Sequence, residues 1–178
     1  MGPFRGSQLM ESWLDPSTTR SLRFHEQERR FFQSRSVRTE ILPDDRHWTD
    51  DKGGSGESLT NASLDELSFI YYLRTLPQGT DTLYEFRTHF DASRNPVLVH
   101  ESPGGVVTTS TGVFVTTLME MHVHDPRRYH GEGIIRVFLS DDRCRIPVRI
   151  ESSVPGMGSL VLTMDSYVAP GPSCNAGL

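Results

Sequence analysis

Apolar and polar positions along this chain follow two different periods. From residue 82 onward the period is two. Tyr84, Phe86, Thr88 and Phe90 fall on one side of a strand-like run, with Glu85, Arg87 and His89 on the other. Residues 96–101, 106–109 and 112–121 continue as extended segments, separated by Asp91-Ala92-Ser93-Arg94-Asn95 and by Ser102-Pro103-Gly104-Gly105, both read as turns. In the last third, Ile134, Arg136, Phe138 and Ser140 alternate with Ile135, Val137 and Leu139. Ile146, Val148 and Ile150 alternate with Arg145, Arg149 and Glu151, and Leu160, Leu162 and Met164 alternate with Val161 and Thr163. Strands about 8–12 residues apart with turn signals between them predict an antiparallel sheet, and the lack of crossover helices excludes a doubly wound fold.

Upstream the signal is weaker. Residues 1–19 show no sustained period and are expected to be a poorly ordered lead. Residues 20–28 and 30–42 predict two partly exposed strands, since neither face is richly apolar. A polar linker over 50–60 leads to the one helical pattern, expected over about residues 64–75. Ser63-Leu64-Asp65-Glu66 reads as its capping box, Leu64, Leu67 and Ile70/Tyr71 recur at helical spacing, and Pro77 with Gly79 ends it. The expected fold is therefore mainly β. It is a single antiparallel domain over residues 20–168 with one short helix packed on it, followed by a flexible Gly/Pro tail at 169–178.

Composition narrows the function classes. The net charge of −5 argues against nucleic acid as a partner, because phosphate binding needs a basic surface. The cluster Arg20, Arg23, Arg29, Arg30, Arg35 and Arg38 is read as a solvated strand face. No stretch approaches the ~18 consecutive apolar residues of a transmembrane helix. The first residues lack the apolar core of an export signal, which places the chain in the cytoplasm if Met1 is the true start. Cys144 and Cys174 are expected to be unpaired thiols, because Cys174 sits in the Gly/Pro tail.

Candidate chemistry is sparse. His122 and His124 project from one face of a strand, the arrangement of a metal-binding pair in a β-barrel. Asp125-Pro126 interrupts the strand at once and Glu132 comes late, so solvent-facing histidines are expected, with a cupin-like metal-dependent enzyme as the alternative. No nucleophile elbow is present, and Cys144 has no neighbouring histidine in sequence. No catalytic residue and no cofactor is assigned. Asp141-Asp142-Arg143 reads as a turn, Pro147 as an edge or bulge proline, and the arginines at 143, 145 and 149 as a charged rim.

Two segments carry a resemblance to a known family. Asp65-Glu66-Leu67-Ser68-Phe69-Ile70-Tyr71-Tyr72-Leu73-Arg74 resembles the "D-x-L-S-x-x-Y-x-L-R" helix of the bacterial domain-of-unknown-function family DUF3108. Phe138 to Val148 resembles that family's "W-x-S-x-D-x-x-R-x-P-V" hairpin, with phenylalanine in place of the usual tryptophan. Gly112-Val113-Phe114 is similar to the glycine-led strand between them, and the resemblance spans roughly residues 17–168. It implies an exported periplasmic or cell-envelope protein with a curved antiparallel sheet, a half-barrel-like meander. The family's usual export signal and first strands are not recognised here, which leads to the expectation of a fragment or a misplaced start. By analogy with half-barrel lipoprotein carriers, the expected function is non-enzymatic: binding a lipid-like ligand or an envelope protein partner on the concave sheet. Tyr84, Phe86, Phe114 and Phe138 are the candidate lining residues, and a purely structural scaffold is the further alternative.

Overall fold

The computed structural model describes residues 6–30, 33–126, 131–154 and 158–168. The chain is mainly β, with two open antiparallel sheets and one short α-helix. It forms two compact units, one made of residues 1–72 and 87–95, the other of 73–86 and 96–178.

The first unit carries strands β1 (Gly6–Leu14), β2 (Ser21–Arg30), β3 (Gln33–Leu42), β4 (His47–Asp50) and β5 (Ser55–Glu57), hydrogen-bonded in that order. Strand β1 corrects the expectation of a poorly ordered lead, because it pairs with β2 from Gly6↔Arg30 to Leu14↔Ser21. Its own apolar alternation is faint, and its order comes from a ladder to residues far along the chain. The core is Phe24, Ile41, Trp48 and Phe90, with Met10 and Leu67 packed against it. Trp48 meets Phe90 edge-to-face at 5.6 Å, a favoured aromatic geometry. Gly56 pairs with Trp48, and any side chain there would enter the indole, since a Cβ would lie 2.8 Å from it.

Helix α1 (Glu66–Leu73) starts from Asp65, not from Ser63. The Asp65 Oδ1 accepts from the backbone amides of Leu67 and Ser68, both at 2.9 Å. Ser68 Oγ returns to Asp65 N at 2.8 Å, so the capping box is Asp65 with Ser68. Ser63 Oγ instead donates to Thr60 O, and Glu66 pairs with Arg94.

The second unit carries β6 (Thr82–Phe86), β7 (Val97–Thr109), β8 (Gly112–Val123), β9 (Gly133–Ser140), β10 (Pro147–Val154) and β11 (Gly158–Thr163) as a sequential meander. The turn expected at residues 102–105 does not occur. Strand β7 runs through it with a bulge between Pro103 and Gly105. Gly105 sits at φ +71°, where a side chain is strained. Gly104 lies so close to β8 that a Cβ would meet Thr116 Oγ1 at 2.5 Å. Odd positions are buried on both sides of the bulge, Val97, Val99 and Glu101 before it and Val107 after it, but they pass from the Met119 and Met121 side of β8 to the Phe114 side. Residues 169–178, expected to be a flexible tail, lie outside the described residues.

Candidate functional site

The two motif segments do distinct local work. In the first unit, Asp65, Ser68, Ser12 and Ser21 form a buried polar cluster. Ser12 Oγ donates to Asp65 Oδ2 at 2.6 Å, and the hydroxyls of Ser21 and Ser68 are 2.6 Å apart. Burial raises the Asp65 pKa above its ordinary value despite these donors. The same cluster ties strand β1 to the start of α1.

Beside this tie lies an open groove of about 460 Å³, lined by Met10, Glu11, Ser12, Trp13 and Leu14 of β1 and by Leu67, Ser68 and Tyr71 of α1. Trp13 and Tyr71 remain 44% and 48% exposed, unusually open for large aromatics beside an apolar surface. The Arg23 guanidinium lies 5.7 Å from the Trp13 ring, within cation–π reach. Glu11 is the single acid in the lining, and its Oε2 meets His25 Nδ1 at 2.9 Å. The β1 positions do not stand out in the sequence, because β1 shows almost no pattern of its own, whereas Leu67 and Tyr71 carry the helical spacing.

Also in the first unit, Glu66 is enclosed by Arg94 and by His89, whose Nε2 is 3.9 Å from Glu66 Oε1. Burial pushes the Glu66 pKa up, but Arg94 and His89 outweigh it and hold the carboxyl well below the usual range. Burial, reinforced by Arg94, lowers the pKa of His89. Its Nδ1 accepts from the Asp91 amide at 3.0 Å, a bond that a protonated ring would lose.

In the second unit the expected charged rim holds for exposed Arg143 and half-buried Arg149 but not for Arg145. Arg145 is 5% exposed and its guanidinium lies 3.6 Å from Glu101, which is fully buried. The loop is built to place it there. Asp142 Oδ1 accepts from the amides of Cys144 and Arg145 at 2.7 and 3.1 Å, and Ser140 Oγ accepts from Ile146 N at 2.9 Å. Arg145 itself is held at φ +43°, a costly conformation for a side-chain-bearing residue. Arg74, the last residue of the helix motif, donates to Cys144 O through Nε at 3.2 Å and Nη2 at 2.8 Å. Glu101 also accepts from Tyr84 Oη at 2.9 Å and Gly79 N at 3.3 Å. Arg145 Nε and Nη1 have no hydrogen-bond partner among the described residues. The expectation of an exposed Arg145 fails because period alone cannot see a counterion 44 residues away in sequence.

The four aromatic candidates do not converge. Tyr84 and Phe86 stack at 5.7 Å on β6, and Tyr84 stands opposite Val99, which stands opposite Met121. Met121 pairs with Ile135, and Met119 with Val137, so these residues share a face. Phe138 follows Val137 and points to the other face, as does Phe114 by its parity on β8. Phe114 is core, clustered with Val107, Cys144, Ile146 and Val148, and Phe138 packs on that cluster. Burial and the Glu101 hydrogen bond raise the Tyr84 pKa.

His122 is engaged through both ring nitrogens, with Glu132 Oε2 at 2.8 Å and Glu120 Oε1 at 3.3 Å. The Glu132 hydrogen bond raises its pKa, favouring the protonated ring. His124 is exposed and meets Gly131 O at 3.2 Å. Among the described residues no group of three or more such side chains is placed to hold a metal ion. Cys144 is disulfide-bonded, which corrects the expectation of two free thiols; Cys174 lies outside the described residues. No helix among the described residues is long and apolar enough to cross a membrane.

Neither the curated proteins nor the solved structures provide a match to this chain. Residues 2–165 match the family described as "Protein of unknown function (DUF3108)". That match takes in β1 and both motif segments, and the chain belongs to the DUF3108 family.

Proposed function

We propose that this protein is a non-catalytic binding domain of the cell envelope, and that its working site is the groove between β1 and α1. The observation that carries this reading is the lining: Met10, Trp13, Leu14, Leu67 and Tyr71 around one open groove in which two aromatics stay half exposed. Such concave, apolar surfaces with a few polar groups are the usual form of a ligand site. Burying two or three apolar side chains there, at roughly 1.5–3 kcal/mol each before the costs of association, supports modest affinity. The disulfide at Cys144 favours the envelope setting, since disulfides persist in oxidising compartments.

The test is a titration with the apolar dye anilinonaphthalene sulfonate. Native protein is expected to bind the dye, and Tyr71→Ser and Leu14→Glu are each expected to weaken that binding at least fivefold. Tyr71 is 48% exposed, so its replacement is expected to leave the fold intact, which circular dichroism of the variant checks. Native protein that binds no dye, or variants that bind it as well as the parent, would discard the groove and leave the scaffold reading.

A further inference from the structure

Strand β1 is the last strand of its sheet, and among the described residues its ladder runs to β2 alone. The register shows which of its main-chain groups are left over. Arg38 turns its backbone toward β4, because its N–H donates to Asp51 Oδ1 and its C=O accepts from Asp51 N, both at 3.0 Å. Successive residues of an antiparallel strand alternate in the direction of their backbone groups. Val37 and Thr39 therefore bond to their partners Glu26 and Phe24 on β2. His25 and Arg23 then bond to Glu11 and Trp13 on β1. Between Met10 and Trp13, what remains is the main chain of Met10 and Ser12, whose N–H and C=O groups point off the free edge.

Those two residues lie in the middle of the stretch that lines the groove. Five consecutive residues, Met10 to Leu14, contribute to that lining. Side chains alternate between the faces of a strand, so a groove touching all five runs along the strand's edge, not over one face. Half-buried Met10, Ser12 and Leu14 lie on the α1 side, and exposed Glu11 and Trp13 lie on the other. An acyl chain laid here would cover the Met10 and Ser12 backbone without satisfying it, at a cost for each unpaired group. An extended peptide satisfies the same groups.

We propose that the groove is a strand-addition site: an extended segment of a partner protein pairs with Met10 and Ser12 as a sixth strand beside β1. This inference rests on the groove reading above and names its occupant. Residues of the added strand that face α1 meet Leu67 and Tyr71 and are apolar. Alternate residues stand beside Glu11 and Trp13. The lining holds one carboxylate, Glu11, and no cation, so lysine or arginine is favoured there by charge, although Arg23 already lies over the Trp13 ring. Main-chain hydrogen bonds supply affinity and the alternating side chains supply selectivity, as in other sheet-edge recognition.

The experiment uses the full chain and a capped peptide of alternating sequence, Val-Lys-Val-Lys-Val-Thr, competing against the bound dye. The peptide is expected to displace the dye, and its Val-Glu-Val-Glu-Val-Thr counterpart to bind at least tenfold more weakly. Two further peptides carry N-methyl groups either on the valine amides or on the lysine amides, which lie on opposite edges of an extended strand. One of the pair is expected to lose at least tenfold while the other stays within threefold of the parent. Loss on valine methylation fits antiparallel addition, in which valines bond directly to Met10 and Ser12; loss on lysine methylation fits parallel addition. Equal binding by both methylated peptides, or no displacement of a dye that the groove does hold, overturns strand addition while leaving the groove reading in place. Failure of the dye itself, or its indifference to Tyr71→Ser, strikes the groove reading instead.

Discussion

Replacing Arg145 with methionine removes the positive half of the buried pair and leaves the Glu101 carboxylate enclosed. At 3.6 Å the two charges attract by about 4–5 kcal/mol at an effective dielectric constant near 20. Breaking a buried pair by removing one partner costs roughly 3–5 kcal/mol, because the remaining charge stays desolvated. Glu101 keeps the Tyr84 hydroxyl and the Gly79 amide, which offset part of that penalty. The expected loss for Arg145→Met is therefore about 3 kcal/mol, at the lower end of the range. Adding Glu101→Gln removes the stranded charge while keeping side-chain hydrogen-bonding capacity, and is expected to return at least half of the loss. Both tryptophans, Trp13 and Trp48, belong to the first unit, so indole fluorescence does not report on this site. Hydrogen exchange of peptides from β7, β8 and β9 in the native state does. A change in protection below about 1 kcal/mol for Arg145→Met, or a double variant no better than the single one, would refute the reasoning.

Other expectations follow from the same structure. Asp65→Ala removes the cap of α1 and the acceptor of Ser12, and should destabilise the first unit by about 1–2 kcal/mol in urea titrations followed by tryptophan fluorescence; no change would contradict the capping role. Acidification should weaken the first unit in two stages. The lowered pKa of His89 means that the unfolded chain takes the proton first, so stability falls as the pH drops below about 6.5. The lowered pKa of Glu66 keeps its contribution intact above about 4.3, with loss only below that. Burial raises the Asp65 pKa and so works the other way as that carboxyl takes up its proton. The check therefore compares thermal melts of the parent and His89→Gln from pH 7.5 to 3: a His89→Gln melt that falls between pH 7.5 and 5 as far as the parent's excludes the first stage. Gly104→Ala forces a Cβ against Thr116 and Leu118 and should cost about 1–3 kcal/mol in exchange protection of β7 and β8, whereas an unchanged value would show that the bulge can open.

Strand-rich architecture was legible because it depends on local alternation. The 133–140, 147–154 and 158–163 strands each show a period of two, and their order along the chain is their order in the sheet. The helix was legible for the same reason, although its cap moved from Ser63 to Asp65. Two neighbouring residues can both suit a cap, and the contacts from Ser12 and Ser21 decide between them. Residues 102–105 misled for a related reason: Pro-Gly-Gly suits a turn and a bulge equally, and the close approach of β8 selects the bulge.

Strand β1, the buried Arg145 and the groove belong to the other class. An edge strand with little apolar pattern is ordered by its ladder to β2, and that ladder is made by residues that sequence alone does not bring together. A buried arginine looks in sequence like any surface arginine, since the carboxylate that tolerates it lies on another strand. The sequence by itself determined the family, the antiparallel β class and the single helix, all of them consequences of short-range periodicity and spacing. Only the tertiary structure decided that β1 ends its sheet with no further partner strand among the described residues, which charge is buried and which aromatics fail to meet, because strand pairing and charge burial are set by long-range contacts that local pattern does not encode.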